Sequence, residues 1–151
     1  MNRIVFLDTS YAIALSAPAD QLHETALLVA EQIESGNVSL VTTRAVTLEI
    51  GNALSKLRYR REAAELLRSL EDDPSVEIVP LTEELHGRAL RLYCDRADKE
   101  WGLTDCVSFV VMQERGLTEA LTADEHFRQA GFAALLREGL GGSGDSIIYT
   151  F

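Results

Sequence analysis

The chain has 151 residues, 46% hydrophobic and 25% charged, an ordinary globular composition with enough length for one domain and a buried core. Its apolar runs are far too short to cross a bilayer, MNRIVFLD enters a strand without a signal-peptide pattern, and two cysteines with no CxxC or paired histidines argue against zinc and a disulfide framework. A formal net charge of -10 does not suggest a nucleic-acid binder, although KLRYRR gathers Lys56, Arg58, Arg60 and Arg61 into one basic patch suited to phosphates.

In chain order, RIVFLD (3–8) predicts a strand whose DTS ending caps the helix YAIALSA, stopped by Pro18. A helix over about 20–35 follows, with Leu22, Ala26, Val29, Ala30 and Ile33 at helical spacing and Gly36-Asn37 as its stop. VSLVT (38–42) is a second strand, leading to helices over 44–57 and 62–70. Pro74 breaks the pattern and VEIVP makes a third strand; Thr82-Glu83-Glu84 then starts a helix to about residue 95, its acids matching the helix dipole. After a loop comes an apolar helix over 105–114 closed by Gly116, then the strand EALTA, a short helix over 124–129 and a candidate fifth strand over 132–136. Alternating strands and helices predict an α/β fold: a three-layer α/β/α sandwich around a mostly parallel sheet of four to five strands. The tail differs, with GLGGSGD as a flexible spacer before the apolar IIYTF.

Four carboxylates stand at or beside the element junctions: Asp8 ends the first strand, Asp124 the fourth, Asp105 opens the apolar helix and Glu49 lies on the helix after SLVTT. Strand ends and helix starts of an open α/β sheet gather at one edge, so these acids can converge there, where a divalent cation would offset their repulsion. Taken singly, Asp8, Asp105 and Asp124 are also good helix caps. Glu49 falls at the border of the stripe Val46, Ile50, Ala53, Leu54 and Leu57, with Asn52 and Lys56 on its side, a flank that can present a ligand, an amide and a cation in series. Helix Asp105 is apolar on nearly every side after its first residue, which marks it as buried with an acid at its semi-buried start.

Other residues carry plainer readings. His126 follows Asp124 by two positions and can touch substrate, but a lone histidine at a helix start is more commonly structural; His23 and His86 are ordinary helix residues. Trp101 can stack a base, with loop packing the commoner role, and Asp98 reads as a loop stabiliser. Cys94 and Cys106 are expected to be reduced and buried.

FLDTSYAIA, TTRAVTLEIGNAL and DKEWGLTDCVSFVVMQERGLTEALTADEHFRQAGF, in that order, resemble the PIN-domain family of metal-dependent ribonucleases, most closely its compact VapC-type toxins. The resemblance spans residue 3 to about 136, and WGLTDC followed by LTADEHF is its most specific part. It implies a PIN-like nuclease domain over 1–137, with 138–151 as spacer and tail outside the family core. The family's acidic set falls on Asp8, Glu49, Asp105 and Asp124, its accompanying polar residue on Thr104 or Ser10, and its second-motif asparagine on Asn52. The implied activity is an Mg²⁺- or Mn²⁺-dependent endoribonuclease, the toxin of a toxin–antitoxin pair. Implied with it are a small antitoxin and a homodimer, while the short apolar runs and the lack of a signal-peptide pattern lead to the expectation of a cytoplasmic location and no membrane partner. Lys56 joins Asn52, Thr104 and Ser10 as expected substrate contacts. Two alternatives stand beside this reading: a non-catalytic PIN-like interaction module, and a haloacid-dehalogenase-like phosphatase, which the absence of a second acid two residues after Asp8 disfavours.

Overall fold

The computed structural model describes residues 2–139, so the expectations for the far tail lie outside the described residues. Strand β1 (Ile4–Leu7) leads through helices α1 (Thr9–Ser16) and α2 (His23–Ser35) to β2 (Ser39–Thr43). Helices α3 (Arg44–Ala53) and α4 (Leu57–Asp72) connect it to β3 (Val76–Val79). Then come α5 (Glu83–Asp95), α6 (Leu103–Arg115), β4 (Glu119–Leu121), α7 (Glu125–Gln129), β5 (Ala133–Ala134) and α8 (Leu135–Glu138). The strands form one parallel sheet in the order β3-β2-β1-β4-β5, flanked by helices as the α/β/α reading expects.

The order places the site. The chain leaves β1 for β2 and β3 on one side, then returns to set β4 on the other, so β1 and β4 flank the topological switch point where α/β sheets open a crevice. The backbone N–H of Asp8 donates to the Leu121 carbonyl at 3.2 Å, joining the carboxyl ends of the two strands. Beneath them lies a core of Phe6, Leu7, Ile50, Met112, Leu121 and Phe127, each nearly or fully buried. A side chain of this kind contributes about 1.5–3 kcal/mol by leaving water. Phe109 of α6 meets Trp101 and Phe127 edge to face at centroid distances of 5.0 and 4.9 Å, which clamps the loop before α6 and the helix after β4 onto one another.

Several boundaries differ from the sequence expectation. The helix expected over 44–57 stops at Ala53, because Leu54 turns inward and is buried while Leu57 is 91% exposed and already belongs to α4. KLRYRR therefore forms the start of α4, five residues earlier than the expected helix start, with the Tyr59 and Arg60 N–H groups donating to the Lys56 carbonyl at 2.9 Å. Helix α6 begins at Leu103 rather than Asp105, since Asp105 reaches back to cap the Gly102 N–H. The fifth strand shortens to two residues and Leu135–Glu138 becomes a helical turn whose leucines enter the core. Cys106 is buried as expected, whereas Cys94 is exposed on α5. Trp101 packs its loop, 6% exposed, and donates its indole N–H to Gln129 Oε1 at 3.0 Å; Asp98 pairs with Arg96.

Candidate functional site

Asp8 follows β1 directly and caps α1 in extended backbone, φ -103° and ψ 161°. Its Oδ2 accepts the Thr122 hydroxyl at 2.7 Å and the Ser10 hydroxyl at 3.1 Å, with the Ser10 N–H more distant at 3.5 Å. Thr122 lies just past β4 and is fully buried; its hydroxyl oxygen also accepts the Asp124 N–H at 3.0 Å and lies 3.0 Å from Ser10 Oγ. Ser10 Oγ in turn accepts the Ala123 N–H at 3.2 Å. This hydroxyl network fixes the Asp8 carboxylate without cancelling its charge. Burial, opposed by the Thr122 hydrogen bond and reinforced by the nearby charge of Asp105, pushes the Asp8 pKa up to about 6.

Asp105 is the third residue of α6, and its Oδ2 accepts two donors: the Gly102 N–H at 3.2 Å and His126 Nδ1 at 2.9 Å. Asp124 caps α7, accepting the His126 N–H on Oδ1 at 2.9 Å, and that oxygen lies 3.4 Å from His126 Nδ1. One ligand atom from each of Asp105, Asp124 and His126 falls within 4.8 Å of the others, the group of this kind found among the described residues. Burial raises the Asp105 pKa, the His126 hydrogen bond lowers it and Asp124 raises it, for a net upward shift. For His126 burial works downward, but the Asp105 hydrogen bond and the charges of Asp124, Asp105 and Glu100 outweigh it and leave the imidazole above its ordinary value. The N-terminus of the thirteen-residue α6 adds favourable potential for the anion at Asp105.

The remaining expected residues are placed less tightly. Glu49 is half-buried on α3, a helix packed against both α1 and α6, and among the described residues it makes no hydrogen bond or ion pair. Neither Glu49 nor Asp8 is in the Asp105, Asp124 and His126 group. Asn52 is exposed near the end of α3. Lys56 is exposed too, but it is the cap residue of α4, so the expected single-helix flank of Glu49, Asn52 and Lys56 is broken by the turn at Leu54. Thr104 is half-buried beside Asp105, and its carbonyl accepts the Ser108 hydroxyl. Thr122 carries no signal of its own in the sequence, and His126 reads there as a substrate contact or, more commonly, a structural residue; their only sequence signal is their place within LTADEHF, flanking Asp124.

The donor set suits a hard divalent cation. Asp8, Asp105 and Asp124 offer carboxylate oxygens, and Asp105 Oδ1 and Asp124 Oδ2 accept no hydrogen bond among the described residues, so each keeps an oxygen for a ligand. Burial, and to a lesser extent a neighbouring carboxylate, raises the pKa of both Asp8 and Asp105, a cost to their ionised forms that a bound cation would offset.

Residues 5–133 match the PIN domain family. The 23S rRNA-specific endonuclease VapC20 of Mycobacterium tuberculosis is 26% identical over 135 residues, covering 89% of this chain and all of the relative. Its crystal structure, described as that of a sarcin-ricin loop cleaving toxin, superposes with a TM-score of 0.75, covering 85% of this chain and 96% of that one. VapBC2 from Rickettsia felis, bound to a promoter DNA fragment, shares the fold at a TM-score of 0.62 and 13% identity, covering 87% and 96% of the two chains. FitAcB from Neisseria gonorrhoeae shares it at 0.57 and 19%, covering 86% and 94%.

Proposed function

From the premise that this chain belongs to the PIN domain family, we propose that it is a metal-dependent endoribonuclease acting as the toxin of a toxin–antitoxin pair. The observation that carries the reading is a buried Asp8, close enough to Asp105 to feel its charge and bonded to the Thr122 hydroxyl that also takes the Asp124 N–H, at the switch between β1 and β4. Family membership removes the haloacid-dehalogenase-like alternative. Asp8, Asp105 and Asp124 would hold Mg²⁺ or Mn²⁺, with Glu49 acting from α3 through water or on the attacking water itself. Bound there, the ion would supply an acidified water and charge neutralisation for in-line attack on a phosphodiester.

The chain's own residues set the rest. Thr122 and Ser10 keep Asp8 in one orientation, and the α6 N-terminus keeps Asp105 at the crevice. Thr104 and Ser10 are assigned to the scissile phosphate, and Asn52 and Lys56 to flanking RNA; the KLRYRR start of α4 supports this, since Lys56, Arg58 and Arg60 form no ion pair among the described residues. VapC20 cuts 23S rRNA and matches over its whole length, so ribosomal RNA carrying the sarcin-ricin loop is the first substrate to offer. The toxin reading brings with it a small antitoxin and a homodimer. No helix among the described residues is long and apolar enough to cross a membrane.

The test is cleavage of ribosomal and unstructured RNA with and without EDTA by the wild type, Asp8→Asn and Asp105→Asn. Cutting should stop on chelation and in both variants, and activity surviving all three would sink the metal mechanism. Expression alone should arrest growth; unimpeded growth by a chain that cuts RNA in vitro would remove the toxin role.

A further inference from the structure

One side chain holds both outer carboxylates of the site. His126 reaches Asp105 Oδ2 through Nδ1 at 2.9 Å, lies 3.4 Å from Asp124 Oδ1 through the same atom, and donates its backbone N–H to Asp124 Oδ1 at 2.9 Å. Gly102 N–H takes the remaining approach to Asp105 Oδ2, so both donors occupy one oxygen and turn Oδ1 free of protein donors. Asp105 lies in the first turn of one helix and Asp124 caps another, and His126, bonded to Asp105 through Nδ1 and to Asp124 through its backbone N–H, is the residue that links their carboxylates among the described residues. The backbone that carries the ring is held in place: Phe127, the next residue, is fully buried and meets Phe109 of α6 edge to face.

We propose that His126 is a positioning residue for the metal site: its Nδ1 draws the Asp105 and Asp124 carboxylates together and fixes Asp105 with Oδ1 presented to the ion. The inference rests on the metal reading above and adds a role for a residue outside the acidic set. Outer-shell donors of this kind typically change metal affinity by about 10–100-fold when removed. Nδ1 is the atom that acts, and this separates two conservative substitutions. His126→Asn puts an amide N–H near the position of Nδ1, whereas His126→Gln puts one near the position of Nε2.

The experiment is Mn²⁺ binding to the metal-free full chain, followed by calorimetry and by electron spin-echo spectroscopy of the bound ion, with folding checked by circular dichroism. His126→Ala and His126→Gln should bind Mn²⁺ about 10–100-fold more weakly than wild type, and His126→Asn should recover most of the loss. Wild type with Mn²⁺ should show no directly bonded imidazole nitrogen. Equal affinity of wild type and His126→Ala overturns this inference alone, as does equal weakening by Asn and Gln in folded variants. A directly bonded imidazole nitrogen overturns it in favour of a ligand role. Folded wild type that binds Mn²⁺ no more tightly than Asp105→Asn overturns the metal reading and this inference together.

Discussion

The acidic site has two halves that meet the same electrostatic problem differently. Asp8 is 4% exposed and faces neutral hydroxyls from Ser10 and Thr122, which orient the carboxylate and leave its charge intact. Asp105 and Asp124 are half-buried at two helix starts and share an imidazole that can carry a positive charge. The inner half is rigid and short of counter-charge; the outer half is partly compensated and open to solvent. A cation between them would complete the first and displace nothing the second cannot give up, which would let these three acids coexist in a folded chain of net charge -10.

If both halves serve one ion, removing an acid from either should have the same consequence. Asp8→Asn and Asp105→Asn should each lower RNA cleavage by about 10³-fold, the kinetic equivalent of several kcal/mol of lost transition-state stabilisation. A large loss for one and a small one for the other, measured as kcat/KM, would break the pairing of the halves.

The halves should separate on stability. Without metal, Asp8 keeps its proton in the folded chain up to about pH 6, while the unfolded chain releases it near the ordinary carboxylate value. The folded state then binds more protons across that window, so stability falls as pH rises through it and is lowest above it. Asp8→Asn removes this penalty and should stabilise the metal-free protein by on the order of 3 kcal/mol at pH 7.5, with the gain vanishing near pH 3.5. Urea unfolding across pH checks it, and a gain independent of pH would contradict the assigned cause.

Thr122→Val tests the inner network from its other end. It removes the donor that lowers the Asp8 pKa and unpairs the Asp124 N–H, and should cost about 2 kcal/mol while moving the Asp8 titration above its wild-type position. Glu49→Gln should lower cleavage by only about tenfold, because no hydrogen bond or ion pair among the described residues ties Glu49 to the other acids and it acts at longer range. Smallest of the set, Trp101→Phe loses the bond to Gln129 while keeping the aromatic stack and should cost about 1 kcal/mol with Mn²⁺ affinity unchanged.

Much of this was legible in the chain, and the limits have physical causes. Asp8 stands at its strand end and Asp124 caps its helix as the sequence expects, because DTS and TAD cap a helix by local chemistry, although β4 stops at Leu121, two residues short of the expected EALTA. Boundaries slipped where a local pattern met a tertiary demand. The stripe read through Leu57 ignored that Leu54 would be drawn into the core and end α3, and Asp105 read as a helix start turned out to be the residue that reaches back to cap it. His126 reads in the sequence as a substrate contact or a structural residue and Thr122 as neither, since their significance lies in partners 21 and 114 residues away.

By itself the sequence determined a parallel α/β chain with carboxylates at its junctions, because strand and helix periodicities, caps and breakers act over a few residues. Only the tertiary structure decided that β4 lies beside β1, and that decision puts Thr122 onto Asp8. The packing of Phe109 against Phe127 likewise carries His126 to Asp105. Strand order and aromatic packing are settled by which nonlocal arrangement buries the core best, a choice that no short window of sequence contains.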